Sequence, residues 1–187
     1  MPKFTLDTNI FVDALRSSEG ATSLKRFLAT SLPATWMSAV VILELRAGAH
    51  TAAKIAALES GLIEPFARRN RILVPTARAY HDTGRVLAEL TGDTRSGKRR
   101  RPTASFLTDV LLAVSCRENG VTLVTRDADF ATIARHLPGL TFVPPWPLGC
   151  SPRVSDIPQP SDGRAHLAPV DLDRLTRQDY LQRAHRR

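Results

Sequence analysis

Cysteine is nearly absent from this chain: Cys116 and Cys150 are the only two in 187 residues, and no CxxC pair occurs. That argues against a disulfide framework and against a structural zinc site. Long apolar runs are missing too, and none approaches the roughly 20 residues that span a bilayer. The first apolar run is broken at once by Asp7, so no signal-peptide pattern is present and a cytosolic protein without membrane attachment is expected. Aromatic residues make up 6% and none is interleaved with the basic run described below, which leaves no platform for base stacking. The five histidines, His50, His81, His136, His166 and His185, fall without ligand spacing and are expected at the surface or satisfied in the core.

What is present supports one globular domain, because 43% hydrophobic content over this length can build a proper core. The formal charge is +8, and a basic protein attracts polyanions over a Debye length. Nucleic acid becomes the favoured partner, with a membrane surface second. The densest cluster is Lys98, Arg99, Arg100 and Arg101, in a Gly/Ser/Pro-containing loop from Thr91 to Thr103. As a merely solvated loop it would have no role. Its position just upstream of a candidate metal ligand makes it a candidate RNA-phosphate contact.

Short apolar runs alternate with helical stretches, the pattern of an α/β fold with a mainly parallel sheet. Strands are expected at Phe4–Leu6, Thr35–Met37, Arg71–Val74, Val121–Thr125 and Leu140–Val143. Thr8 and Asn9 are expected to cap a first helix, and a second runs from about Ala21 to Ala29. Ser38 is read as the cap of a helix that carries Glu44. Further helices are expected at about Thr51–Ser60, Ala77–Leu90, Phe106–Asn119, which stops at Gly120, and Ala128–His136. From about residue 146 the chain turns rich in Pro, Ser, Gly and charge. Residues 1–145 are thus expected to form the domain, and 146–187 a Pro-rich basic extension made of a linker and a candidate short helix from Asp171.

Four acids stand out against this background. Asp7 closes the first strand, Glu44 follows the run from Ser38 to Leu43, Asp109 precedes Val110-Leu111-Leu112-Ala113, and Asp127 ends Leu123-Val124-Thr125-Arg126-Asp127. An unpaired buried carboxylate is costly, so several are tolerated only with cations or a metal. Four that converge read as a hard-cation site. Ligands of a parallel sheet gather at the carboxyl ends of its strands, where Asp7 and Asp127 belong. Glu44 and Asp109 are expected to point inward from helices. Plainer readings exist: helix caps for Asp7 and Asp127, a partner of Arg46 for Glu44, a helix-dipole acid for Asp109.

Leu6-Asp7-Thr8-Asn9, Ser38 with Glu44, Thr108-Asp109-Val110-Leu111-Leu112-Ala113 and Thr125-Arg126-Asp127-Ala128-Asp129-Phe130 resemble the motifs of PIN-domain ribonucleases. Within these, the chain is most similar to VapC-type toxins of bacterial toxin–antitoxin pairs, over residues 1 to about 145. The resemblance implies an α/β/α sandwich with a four- or five-stranded parallel sheet. It also implies a Mg²⁺- or Mn²⁺-dependent endoribonuclease, usually a homodimer, inhibited by a small antitoxin. Asp7, Glu44, Asp109 and Asp127 match the acidic quartet, Asn9 and Thr125 match its polar supports, and Asp129 matches as an outer acid. The preference for RNA over DNA rests on the resemblance alone.

The loop at 98–101 and the extension depart from the compact toxin pattern. A phosphatase of the haloacid-dehalogenase type would need a second Asp two residues after Asp7, where Asn9 stands. An inactive nucleic-acid-binding module would keep the fold and charge without needing the four acids.

Overall fold

In the computed structural model, which describes residues 2–92 and 102–145, the chain begins at once with its central strand. Lys98–Arg101 and the extension 146–187 lie outside the described residues. β1 (Lys3–Leu6) is followed by α1 (Thr8–Arg16), α2 (Ser18–Ser31), a 3₁₀ turn (Leu32–Ala34) and β2 (Thr35–Ser38). Next come α3 (Ala39–Gly48), α4 (Ala52–Leu58), a π turn (Glu59–Ile63), α5 (Glu64–Ala67) and β3 (Ile72–Leu73). The remainder is α6 (Ala77–Gly92), α7 (Ala104–Glu118), β4 (Val121–Val124), α8 (Asp129–His136) and β5 (Phe142–Val143).

The strands form one five-stranded sheet in the order β3-β2-β1-β4-β5, with every pairing parallel. Helices flank it, so the architecture is the α/β/α sandwich expected. Parallel strands covered on both faces need apolar residues on both. Accordingly Leu6, Leu123 and Val124 are all buried. α7 is buried over seven consecutive residues, Val110 to Cys116, so it is packed all round rather than along one stripe.

The strand order fixes where a ligand can bind. From β1 the sheet grows through β2 to β3, then the chain returns to place β4 on the other side of β1. The crevice at such a reversal, beyond the carboxyl ends of the strands, is the natural site of an open α/β sheet. Leu6 pairs with Val124, and the Asp7 N–H donates to the Val124 carbonyl at 3.0 Å. The ends of β1 and β4 are therefore level, and Asp7 and Thr125 emerge side by side.

Several local expectations shift. Asp7, not Thr8 or Asn9, caps α1, because its carboxylate reaches the Thr8 N–H. Ser38 does cap α3, accepting from the Val40 N–H at 3.2 Å. α7 starts two residues before the expected Phe106, at Ala104, where Thr103 accepts from the Phe106 N–H. The helical stretch expected to stop near Ser60 continues through the π turn into α5. There Leu62, Ile63 and Phe66 are buried, and their hydrophobic burial outweighs the cost of a widened turn. Gly120 adopts φ +60° after α7, the left-handed conformation that ends a helix cheaply only at glycine. Among the described residues no helix is long and apolar enough to cross a membrane.

Candidate active site

Asp7 is the hub of the acidic edge and is only 4% exposed. Its Oδ1 accepts from the Thr8 backbone N–H at 2.6 Å, the helix-capping bond. Its Oδ2 accepts from Thr125 Oγ1 at 2.6 Å and from Asn9 Nδ2 at 2.7 Å. Asn9 Nδ2 also lies 3.2 Å from Thr125 Oγ1, so both polar supports expected from the sequence meet at this carboxylate. Thr125 in turn accepts from the Asp127 N–H at 2.9 Å, and Asp127 Oδ1 accepts from the Asp129 N–H at 2.8 Å. Asp7 thus caps α1 at the crevice, whereas Asp127 bonds the Asp129 N–H from one residue before Ala128, which holds the cap position of α8 without a side-chain bond.

Glu44 comes from α3. Thr8 Oγ1 donates to its Oε2, and Thr108 Oγ1 on α7 donates to its Oε1. Its expected rival partner, Arg46, pairs with Glu59 instead. The neighbouring Leu43 was expected in the core but is 60% exposed. Consecutive helix positions point about 100° apart, and Glu44 takes the direction of the site.

Asp109, half-buried on α7, is pushed up to about 7, first by burial and then by Asp7, Glu44, Asp127 and Asp129. The four charges that shift it are all acidic. Asp7 is raised as well, mainly by burial, while its bonds from Thr125 and the Thr8 N–H oppose the rise and Glu44 and Asp127 add to it. The four predicted acids therefore act on one region from β1, α3, α7 and the loop after β4. Asp129 is exposed and the weakest of the charges on Asp109, an outer member of the group.

This donor set is all oxygen and strongly self-repelling, which is what a hard divalent cation relieves. Among the described residues no three His, Cys, Asp or Glu side chains form a ready-made cage.

Sequence reasoning overlooked what Thr8 and Thr108 do. Thr8 was read only as a cap and Thr108 only as part of a motif. Each stands beside an acid in sequence yet serves a different one, Glu44. Thr8 and Glu44 also form the rim of an apolar groove walled by Val12, Leu15, Leu45 and Leu58.

The profile of the PIN domain matches residues 4–136. The chain belongs to the PIN domain family. Members of that family are typically nucleases, and in this PIN domain the quartet lies within the matched span. Comparison with curated protein sequences finds no match. Among solved structures, this PIN domain is similar to DNA-bound VapBC from Salmonella typhimurium, at 26% identity and a TM-score of 0.54, over 77% of this chain and 98% of that one. It also shares its fold with FitAcB from Neisseria gonorrhoeae, at 23% identity and a TM-score of 0.55, over 78% and 99%. A FitAB complex bound to an IR36 DNA fragment shares the fold at 21% identity and a TM-score of 0.51, over 76% and 94%. The likeness to VapBC agrees with the VapC-type resemblance carried by the motifs.

Proposed function

We propose that this PIN domain is a divalent-metal-dependent endoribonuclease that hydrolyses phosphodiester bonds in RNA as the toxin of a toxin–antitoxin pair. The observation that carries the reading is the gathering of four carboxylates at the β1/β4 crevice, where burial first and the neighbouring acids second push Asp109 up to about 7. Asp7 and Asp109 are the most direct holders of Mg²⁺, with Mn²⁺ as a substitute. Glu44 and Asp127 complete the surroundings or hold the attacking water. Asn9 and Thr125 orient Asp7, and Asp129 adds outer negative charge. The bound ion supplies a water of lowered pKa and offsets charge at the phosphoryl oxygens. Lys98, Arg99, Arg100 and Arg101 grip the phosphates of the RNA.

RNA as substrate, a homodimeric state and a cytoplasmic site of action come from the family resemblance. An antitoxin partner is supported by the likeness to VapBC.

The test is cleavage of total cellular RNA by purified protein with Mg²⁺, with Mn²⁺ and with EDTA, alongside Asp7→Asn and Asp109→Asn. Discrete fragments that vanish with EDTA and in both variants are expected. Wild-type-level cleavage by Asp7→Asn would sink the assignment, and a folded, metal-bound protein that cuts no RNA would favour a binding module.

A further inference from the structure

The Glu44 carboxylate is held at both oxygens by hydroxyls from two other helices. Thr8 opens α1 and Thr108 lies on α7, 36 and 64 residues away in sequence. A single donor would leave a long, flexible glutamate free to swing about that one bond. Two donors from opposite sides fix both its position and its rotation. We infer that Thr8 and Thr108 are positioning residues that hold Glu44 ready for the cation, an inference that rests on the metal-dependent reading above.

The two hydroxyls are not equivalent. Thr108 Oγ1 carries one proton and has a second acceptor in the Ser105 carbonyl at 2.7 Å, with the Ala104 carbonyl further off at 3.4 Å. The Ser105 carbonyl would keep the Thr108 donor satisfied were Glu44 to turn that oxygen toward a cation. Thr8 keeps the other oxygen in place. Hydroxyls that orient a ligand in this way set metal affinity without touching the metal.

The experiment is calorimetric titration of Mn²⁺ into metal-free wild type, Asp7→Asn, Thr8→Val, Thr108→Val, Thr8→Ser and Thr108→Ser, paired with the Mn²⁺ dependence of RNA cleavage. The valine variants should bind Mn²⁺ about tenfold more weakly, the low end of what such supporting partners contribute. The Mn²⁺ concentration for half-maximal cleavage should rise by the same factor, with the rate at saturating Mn²⁺ unchanged. The serine variants, which restore the hydroxyl, should bind like wild type. Valine variants that bind Mn²⁺ like wild type would overturn the inference, while loss of binding in Asp7→Asn would leave the nuclease reading standing. Serine variants as weak as the valine ones would also overturn it, since the hydroxyl would then not be what matters. A wild type that takes up no Mn²⁺ would overturn both.

Discussion

Asp82 and Asp109 sit on adjacent helices, and each is partly buried, yet their surroundings are opposite. Asp82 on α6 has Arg117 at 3.4 Å, His81 at 3.8 Å and Arg78 at 3.9 Å. Asp109 on α7 is acted on by four acids. One helix serves both sites: α7 sends Arg117 to neutralise Asp82 and presents Asp109 to further negative charge. An acid needed to tie helices together is neutralised by the fold itself. On the proposed reading, acids gathered against one another are kept for a cation that comes from outside, and its binding would return the energy of their repulsion.

The contrast is broken most forcefully by substitution. Asp109→Asn should lower metal-dependent RNA cleavage by more than about a hundredfold, beyond the range for partners that only support a ligand. Asp82→Asn should leave the cleavage rate nearly unchanged. Equal losses in the two variants, measured as initial rates at saturating Mn²⁺, would erase the distinction.

Metal binding should show the same split in stability. At Mn²⁺ a hundred times its dissociation constant, wild type and Asp82→Asn should each gain about 2.7 kcal/mol against unfolding. Asp109→Asn should gain much less. Thermal melts with and without EDTA read this directly.

The pH dependence sharpens the comparison further. Folding raises Asp109 from its ordinary 3.8 to about 7, so the fold favours the protonated carboxyl. Its contribution is complete below the ordinary value and is lost as pH rises through the folded one. In EDTA the unfolding midpoint should therefore fall between about pH 4 and pH 7, and Asp109→Asn should flatten that fall. A wild-type profile with no such decline would contradict the electrostatic picture. The smallest effect is expected at the neutralised acid: Asp82→Asn should cost about 0.5–1 kcal/mol in urea denaturation, as partly exposed ion pairs do.

The frame of this site was legible because its signals are local. The first apolar run stops at Asp7, and the run expected to reach Thr125 ends one residue earlier at Val124, so both strand ends could be read closely from a few residues. Parallel pairing then places them side by side. Ser38 and Gly120 likewise announce a helix start and a helix stop through side-chain chemistry and backbone freedom alone.

What was missed depends on contacts between distant segments. The hydroxyls on Glu44 come from other helices, and Leu43 turns outward because its neighbour must face the acids. The π turn at Glu59–Ile63 is set by burial of Leu62 and Ile63, which helix propensity does not register. The helix caps taught a different lesson. Of the two acids that sequence offers as helix caps, Asp7 caps α1, while the cap position of α8 falls to Ala128 rather than Asp127.

Asp7, Glu44, Asp109 and Asp127 are proposed to converge to receive a divalent cation. Anomalous diffraction at the manganese edge from crystals grown with Mn²⁺ tests it most directly. A peak in the crevice between the ends of β1 and β4, within coordination distance of Asp7 or Asp109 and lost in Asp109→Asn crystals, is the predicted result. An empty crevice at saturating Mn²⁺, or ions bound only elsewhere, would contradict it.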